Sequence, residues 1–186
     1  MKKYLILLLL MTFALAINAQ EQKKENVSKS ETVQLMGREG ILTRRDFYDI
    51  GYIGKVSFKT MVITDITTGE KTGALRLEAY QILTTNSPTF IGILDYDEIS
   101  GCIKSLEYIK NNLLNTKPNN YTEFNFRTKD DVLIGALYST DQEKWTLYIQ
   151  TRDYISDSFR AIKTKEIDTL ISLFTEAKNN LSAKLQ

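Results

Sequence analysis

A stretch that occurs twice constrains this sequence more than any other feature. Residues 95–113 read DYDEISGCIKSLEYIKNNL, and residues 163–181 read KTKEIDTLISLFTEAKNNL. At a constant offset (166 − 98 = 68), Glu98 aligns with Glu166, and both copies end in Asn-Asn-Leu. Apolar residues recur every three or four positions in each copy, which predicts an amphipathic helix. The first helix also begins with a capping-box pattern, Asp95 followed by Glu98. The chain is therefore predicted to contain two similar units.

Segments with the alternation of half-buried strands precede each helix. The predicted strands are residues 41–50, 56–66, 74–81 and 90–94 in the first unit, and residues 121–128, 132–139, 145–150 and 158–162 in the second. The 68-residue offset aligns Arg76 with Lys144 and Tyr80 with Tyr148. One helix cannot cover a four-stranded sheet alone, so the units should pack together. We predict the α+β class: two tandem ββββα units, with antiparallel sheets packed with two amphipathic helices in one domain.

The N-terminus has the pattern of an export signal. A basic Met1-Lys2-Lys3 precedes an apolar run, and Ala19 stands at a suitable cleavage position. We predict a signal peptide at 1–19, a flexible polar tail at 20–32 and one domain at 33–186, with repeat units 33–117 and 118–186. The expected location is the periplasm or the cell exterior, without stable membrane insertion after cleavage. No cysteine lies near the cleavage site to carry a lipid, because Cys102 is the only one.

Composition argues against several classes of function. The chain has no histidine, which removes His-based acid–base catalysis and the commonest zinc ligand. Cleavage after residue 19 would leave 22 Lys and Arg (24 − 2) against 23 Asp and Glu, a net charge of −1. That balance provides no field that attracts nucleic acid. We expect no catalytic residue, no metal and no cofactor.

The third strand of each unit carries the candidate binding residues. The alternation predicts a cation and an aromatic residue on its outward face in both units. We expect Arg127 and Tyr138 to line the same sheet surface. The candidates are Arg76, Tyr80, Arg127, Tyr138, Lys144 and Tyr148. Aromatic rings combined with cations suit stacking or contact with a peptide or sugar. Ordinary cross-strand pairing on a solvated face is the simpler interpretation.

Acidic residues and the cysteine have structural interpretations. Asp95, Asp97 and Glu98 have calcium-ligand chemistry, but we favour helix capping because the second copy begins with lysines instead. Cys102 lies in the apolar stripe and is predicted to be buried.

Two carboxylate pairs lie on turns, Asp65 with Glu70 and Asp130 with Asp131. They have the residue types of a glycosidase, although we favour the interpretation that they are solvated turn residues.

The predicted element order resembles the arrangement of Whirly and Pur-type single-stranded nucleic-acid-binding domains, and no motif residues are carried over from them. Separately, the Ala19-Gln20 end of the signal peptide and the segment ILDYDEISGCIKSLEYI resemble small exported proteins of Bacteroidetes-type bacteria. That resemblance implies export and implies no particular chemistry.

The sequence favours an exported, non-catalytic binding or interaction module. Its partner would be a protein, a peptide or an envelope glycan, and oligomerisation through sheet edges is compatible with the predicted fold. Two alternatives remain open: a Whirly-like protein that binds single-stranded nucleic acid, and a carboxylate-based hydrolase.

Overall fold

Two four-stranded antiparallel sheets form the framework of the computed structural model, which describes residues 28–80 and 88–186. Sheet A has the strand order β1-β2-β3-β4 and sheet B the order β5-β6-β7-β8. The strands are β1 (Thr43–Ile53), β2 (Val56–Asp65), β3 (Lys71–Tyr80), β4 (Thr89–Asp95), β5 (Thr122–Arg127), β6 (Leu133–Ser139), β7 (Lys144–Gln150) and β8 (Phe159–Ile162). The predicted α+β fold with two sheet–helix units is confirmed.

Each sheet is followed by a long helix, as the repeat predicts. The helices are α1 (Glu31–Gly37), α2 (Tyr96–Tyr108), which continues into a π-helical turn (Ile109–Leu113), and α3 (Ile167–Leu185). The Asp95 amide donates to the Glu98 carboxylate at 2.9 Å, which is one half of the predicted capping box. The apolar stripes are buried on both long helices, including Ile99 and Leu106 on α2 and Leu170 and Phe174 on α3.

The short helix α1 corrects two expectations. Residues 20–32 are predicted as a flexible tail and no helix is predicted before residue 95, yet α1 begins inside that tail. Ser30 caps it by accepting a hydrogen bond from the Val33 amide at 3.1 Å, and Ser30 and Thr32 are buried. Residues 20–27 of the predicted tail and the predicted signal peptide lie outside the described residues.

The helix of the second unit packs on the sheet of the first unit. Helix α3, from the second unit, packs against β1, β2 and β3 of sheet A. The Phe174 ring meets the Phe58 ring edge-on with centroids 5.3 Å apart, and the Thr60 hydroxyl donates to the Asn180 side chain at 2.8 Å. Sheet A is therefore covered on its inner face by the helix that follows sheet B.

Helix α2 lies at the junction and contacts β3, β4, β5, β6 and α3. A Cβ on Gly101 would lie 3.1 Å from the Phe126 ring of β5, so this glycine permits the close helix–strand approach. A Cβ on Gly92 of β4 would lie 2.5 Å from Val132. These contacts, with the packing of α3 on sheet A, place both units around one apolar core.

Strand pairing corrects the predicted alignment of the third strands. Leu94 pairs with Leu75, and its equivalent Ile162 pairs with Leu147. By this pairing β3 and β7 are offset by 72 residues (147 − 75), whereas α2 and α3 align at 68. Tyr148 therefore occupies the position of Arg76 rather than that of Tyr80. A shift of four residues keeps each side chain on the same face, so the alternation survives while the predicted matching of Tyr80 with Tyr148 does not.

The outer face of sheet A, on the side away from α3, is partly covered. Helix α1 covers part of sheet A through a small apolar cluster of Leu35, Met61, Ile63, Ala74 and Ile93. The main contacts of α1 are with β2, β3 and β4 of sheet A.

In the described part of the chain, no helix is both long and apolar enough to cross a membrane.

Candidate functional site

The outer face of sheet A beyond α1 carries a fixed network of charged side chains. The Glu78 carboxylate accepts hydrogen bonds from the Arg76 guanidinium at 2.7 Å and from the Tyr80 hydroxyl at 2.6 Å. The Lys59 ammonium lies 3.5 Å from the same carboxylate. These groups belong to β2 and β3, where Lys59 pairs directly with Arg76. Arg76, Glu78 and Tyr80 alternate along the same face of β3, and cross-strand pairing brings Lys59 beside them.

Opposing influences act on Glu78. Burial alone would raise the pKa of its carboxyl, but the hydrogen bonds from Tyr80 and Arg76 and the nearby positive charges lower it below its usual value. The hydrogen bond to Glu78 in turn raises the pKa of the Tyr80 hydroxyl. At neutral pH the carboxylate is therefore ionised and the phenol protonated, so the network retains its hydrogen bonds.

Aromatic side chains surround this network. Phe47 is 48% exposed, Tyr52 78% and Tyr80 37%. The Arg76 guanidinium carbon lies 5.7 Å from the centre of the Phe47 ring, within cation–π range. Phe47 and Tyr52 belong to β1, an edge strand that pairs only with β2 among the described strands. We call the surface made by Phe47, Tyr52, Lys59, Arg76, Glu78 and Tyr80 the open face.

The candidates on sheet B lie outside the open face. Two of them, Tyr148 and Tyr138, are buried and correct the prediction of an exposed surface. Tyr148 lies on the outer face but is only 2% exposed, because it stacks against Phe159 with ring centroids 5.1 Å apart. Burial raises the pKa of its hydroxyl. Arg127 is bound to the carboxylates of Asp131 at 3.2 Å and Asp153 at 2.5 Å. Because Tyr148 is buried, Lys144 and Tyr148 do not form the predicted second copy of the Arg76–Tyr80 surface, and the Arg127 guanidinium is held by carboxylates.

Tyr138 was predicted on the shared outer surface, and the structure places it on the core face. It pairs directly with Trp145, so both rings point inward, 5.3 Å apart, and Tyr138 is 3% exposed. The exposed Lys144 lies next to Trp145 at the β6–β7 hairpin, where it and Tyr138 line a groove of about 480 Å³. The six predicted residues are consequently divided among three places.

The acidic cluster at the start of α2 already has a cationic partner. Oxygens of Asp95, Asp97 and Glu98 lie within 4.8 Å of one another. The Lys129 ammonium lies 2.9 Å from Asp97 and 3.6 Å from Asp95. Asp95 also accepts hydrogen bonds from Ser30 and from the Glu31 amide, each at 2.8 Å. The arrangement joins α1, α2 and the β5–β6 hairpin, which fits the structural interpretation.

The turn carboxylates are each bound to protein groups. Arg38 lies 2.7 Å from Glu70 and 3.9 Å from Asp65, and Asp65 also accepts from the Thr67 amide at 2.8 Å. Arg152 lies 3.1 Å from Asp130, whose pKa is raised by burial. These contacts explain both pairs as parts of turns and of the junction between units.

Cys102 is buried, as predicted from its place in the apolar stripe. Burial, with a smaller contribution from the charge of Glu98, raises the pKa of its thiol far above the usual range. The reactive thiolate is therefore scarce at neutral pH.

No protein-family model matches the chain, and no curated protein or solved structure shows significant similarity to it.

Sequence reasoning missed Phe47, Tyr52 and Lys59 as parts of the open face. Phe47 lay in a predicted strand, but a single strand does not reveal its neighbours. The available signal was the strand pairing. The short turn between β1 and β2 sets Phe47 opposite Met61, and the pairing of β2 with β3 sets Lys59 opposite Arg76.

Proposed function

We propose that this protein is an exported, non-catalytic binding module that contacts a polypeptide through the open face. The observation that carries the proposal is the combination of three exposed aromatic side chains with an arginine and a glutamate held in place by hydrogen bonds. Tyrosine and arginine are enriched among the residues that dominate binding energy at protein interfaces. Side chains that are already ordered lose less conformational entropy when a partner binds.

The position of β1 favours a polypeptide as the partner. It is an 11-residue edge strand, and its second edge forms no strand pair among the described residues. An extended peptide can add to such an edge through main-chain hydrogen bonds, while pockets beside the edge select its side chains. Phe47 and Tyr52 on β1 would then contact the added strand, with Arg76 beside them.

Peptide selection followed by affinity measurement tests this proposal. The immobilised protein is used to enrich peptides from a displayed random library, and the dissociation constants of synthetic versions are measured by fluorescence anisotropy. Phe47→Ala combined with Tyr52→Ala should weaken binding at least about tenfold, since truncating interface aromatics commonly removes more than 1 kcal/mol each. Peptide binding should also slow hydrogen exchange of the β1 amides.

A double variant with exposed tyrosines elsewhere is the matched control. Tyr108→Ala with Tyr154→Ala removes two exposed rings, from α2 and from the segment after β7. We expect affinities within about twofold of the wild type for this control. The absence of any enriched peptide, or an equal loss of affinity in both double variants, would contradict the proposal.

A further inference from the structure

A second surface lies at the end of sheet B, away from the open face. A groove of about 480 Å³ lies between the β6–β7 hairpin, the segment that follows the π-helical turn and the short 3₁₀ turn Thr164–Glu166 that precedes α3. Its main groups are Lys117, Tyr138, Glu143, Lys144, Trp145 and Lys165, which we call the lysine groove. This volume is in the range of small-molecule sites and accommodates a ligand of one to a few sugar rings.

The floor of the lysine groove is rigid and apolar. The Trp145 indole N–H donates to the Thr116 carbonyl at 2.9 Å, which fixes the ring against the segment after α2. Tyr138 packs against Trp145 in turn, at an interplanar angle of 60°. Only 3% of Tyr138 and 7% of Trp145 is exposed, so neither ring has an open face towards the groove. A nucleobase has no free ring face on which to stack there, which argues against a nucleotide.

The walls of the lysine groove carry an excess of positive charge. Three lysines line it, against the single carboxylate of Glu143. Glu143 lies 3.8 Å from Lys117 and offsets part of that charge. Lys144 and Lys165 form no ion pair with any described residue, so their ammonium groups remain available to a ligand. The whole chain has a net charge of only +1, which makes this local excess distinctive.

Neutral polar side chains complete the lining. Asn115 and Thr164 border the groove and provide amide and hydroxyl groups that both donate and accept hydrogen bonds. A ligand that matches these features carries hydroxyl groups, at least one negative charge and an apolar C–H surface. A carboxylated sugar has all three, whereas a simple inorganic anion would leave the apolar floor and the neutral groups without partners.

We propose that the lysine groove binds an acidic carbohydrate, with Lys144 and Lys165 contacting its carboxylates. This site is independent of the open face, so neither proposal requires the other. Because the contacts are charge-assisted and partly exposed, affinity should decrease as ionic strength increases.

Calorimetric titration of the full chain with trigalacturonate tests the proposal. Lys144→Gln combined with Lys165→Gln should weaken binding about tenfold, since two exposed charge pairs contribute roughly 0.2–1 kcal/mol each and the neutral analogue loses both. Lys55→Gln combined with Lys104→Gln removes the same charge from exposed positions outside the groove and should change affinity less than about twofold. A neutral galactose trisaccharide should bind at least about tenfold more weakly.

Four outcomes would overturn the proposal. One is the absence of saturable trigalacturonate binding below about 1 mM, the weak end of specific affinities. Another is equal binding of the neutral trisaccharide, and a third is an equal loss of affinity in the two double-lysine variants. The fourth is tighter binding of a thymidine oligonucleotide that depends on Lys144 and Lys165, which would assign the groove to nucleic acid. Folding of each variant is checked by the fluorescence of Trp145, whose ring forms the floor.

Discussion

Glu98 links the first long helix to the hairpin of the second unit through both of its carboxylate oxygens. One oxygen accepts from the Asp95 amide at 2.9 Å and the other from the Lys129 amide at 2.8 Å. Burial raises the pKa of this carboxyl above its ordinary value of 4.5, although the two hydrogen bonds act in the opposite direction. The Glu98 carboxyl, at the junction of the units, therefore makes a pH-dependent contribution to the free energy of unfolding.

The sign of that contribution is predictable. A raised pKa means that the folded protein binds the proton more tightly than the unfolded chain, so stability falls as pH rises from about 4.5 through the folded-state pKa. Glu98→Gln stays neutral at every pH. The free energy of unfolding of the wild type minus that of the variant should decrease over this range, as measured by urea unfolding. Glu107→Gln, on an exposed position of the same helix, is the control, and an increasing difference for Glu98 would contradict the prediction.

At the scale of single residues, the sequence predicts a side chain's place correctly where local spacing alone determines it. The capping residues of α2 and the burial of Cys102 follow from local spacing. Tyr138 was misplaced because β6 is apolar on both faces, so its alternation does not distinguish inward from outward. Only the pairing of Tyr138 with Trp145 decides the face. The burial of Tyr148 depends on Phe159, which lies on another strand, and no local pattern reports that contact.

Helix α1 depends on its surroundings, because seven residues are too few for stability in isolation. Ser30 connects it to the rest of the molecule: its hydroxyl accepts from the Val33 amide at 3.1 Å and donates to Asp95 at 2.8 Å. Leu35 anchors the other side in the small cluster on sheet A. Sequence reasoning missed α1 because its two buried positions, Thr32 and Leu35, span less than one full amphipathic repeat.

Removing the cap should release this helix. Ser30→Ala deletes the N-cap acceptor and one donor to a buried carboxylate, for which we expect a loss of about 1 to 3 kcal/mol in the free energy of unfolding. Amides of α1 should exchange faster by mass spectrometry, while those of α3 change only with global stability. Ser105→Ala, which removes a hydroxyl bonded to the Gly101 carbonyl within α2, should stay within about 0.5 kcal/mol. Unchanged exchange in α1 would refute the role given to Ser30.

At the scale of the whole molecule, the packing of α3 on sheet A and the position of α2 between the sheets explain why the two units need each other. The apolar stripes predicted two helices and their buried residues, but a stripe does not specify which sheet it faces. Chain order suggests that each helix covers its own sheet, whereas α3 covers sheet A. The two units also touch directly, for example where Gly92 of β4 packs against Val132 of the second unit. The tandem repeat is thus a duplication in sequence that folds as one core.

This architecture predicts that damage in one unit unfolds the other. Phe174 belongs to the second unit but packs against Phe58 of sheet A, and Phe174→Ala should lower the free energy of unfolding by about 3 to 5 kcal/mol. The single tryptophan, Trp145, lies in sheet B and is far from the Phe174–Phe58 contact in sequence, so its fluorescence reports sheet B and the Thr116 carbonyl to which its indole donates. In urea, its fluorescence and the far-ultraviolet circular dichroism should give coincident transitions in both the wild type and the variant. If the variant instead lost part of its dichroism at a lower urea concentration than its tryptophan transition, sheet A would unfold separately. The two units would then be independent domains, and the shared core could not be what holds the open face of sheet A in place.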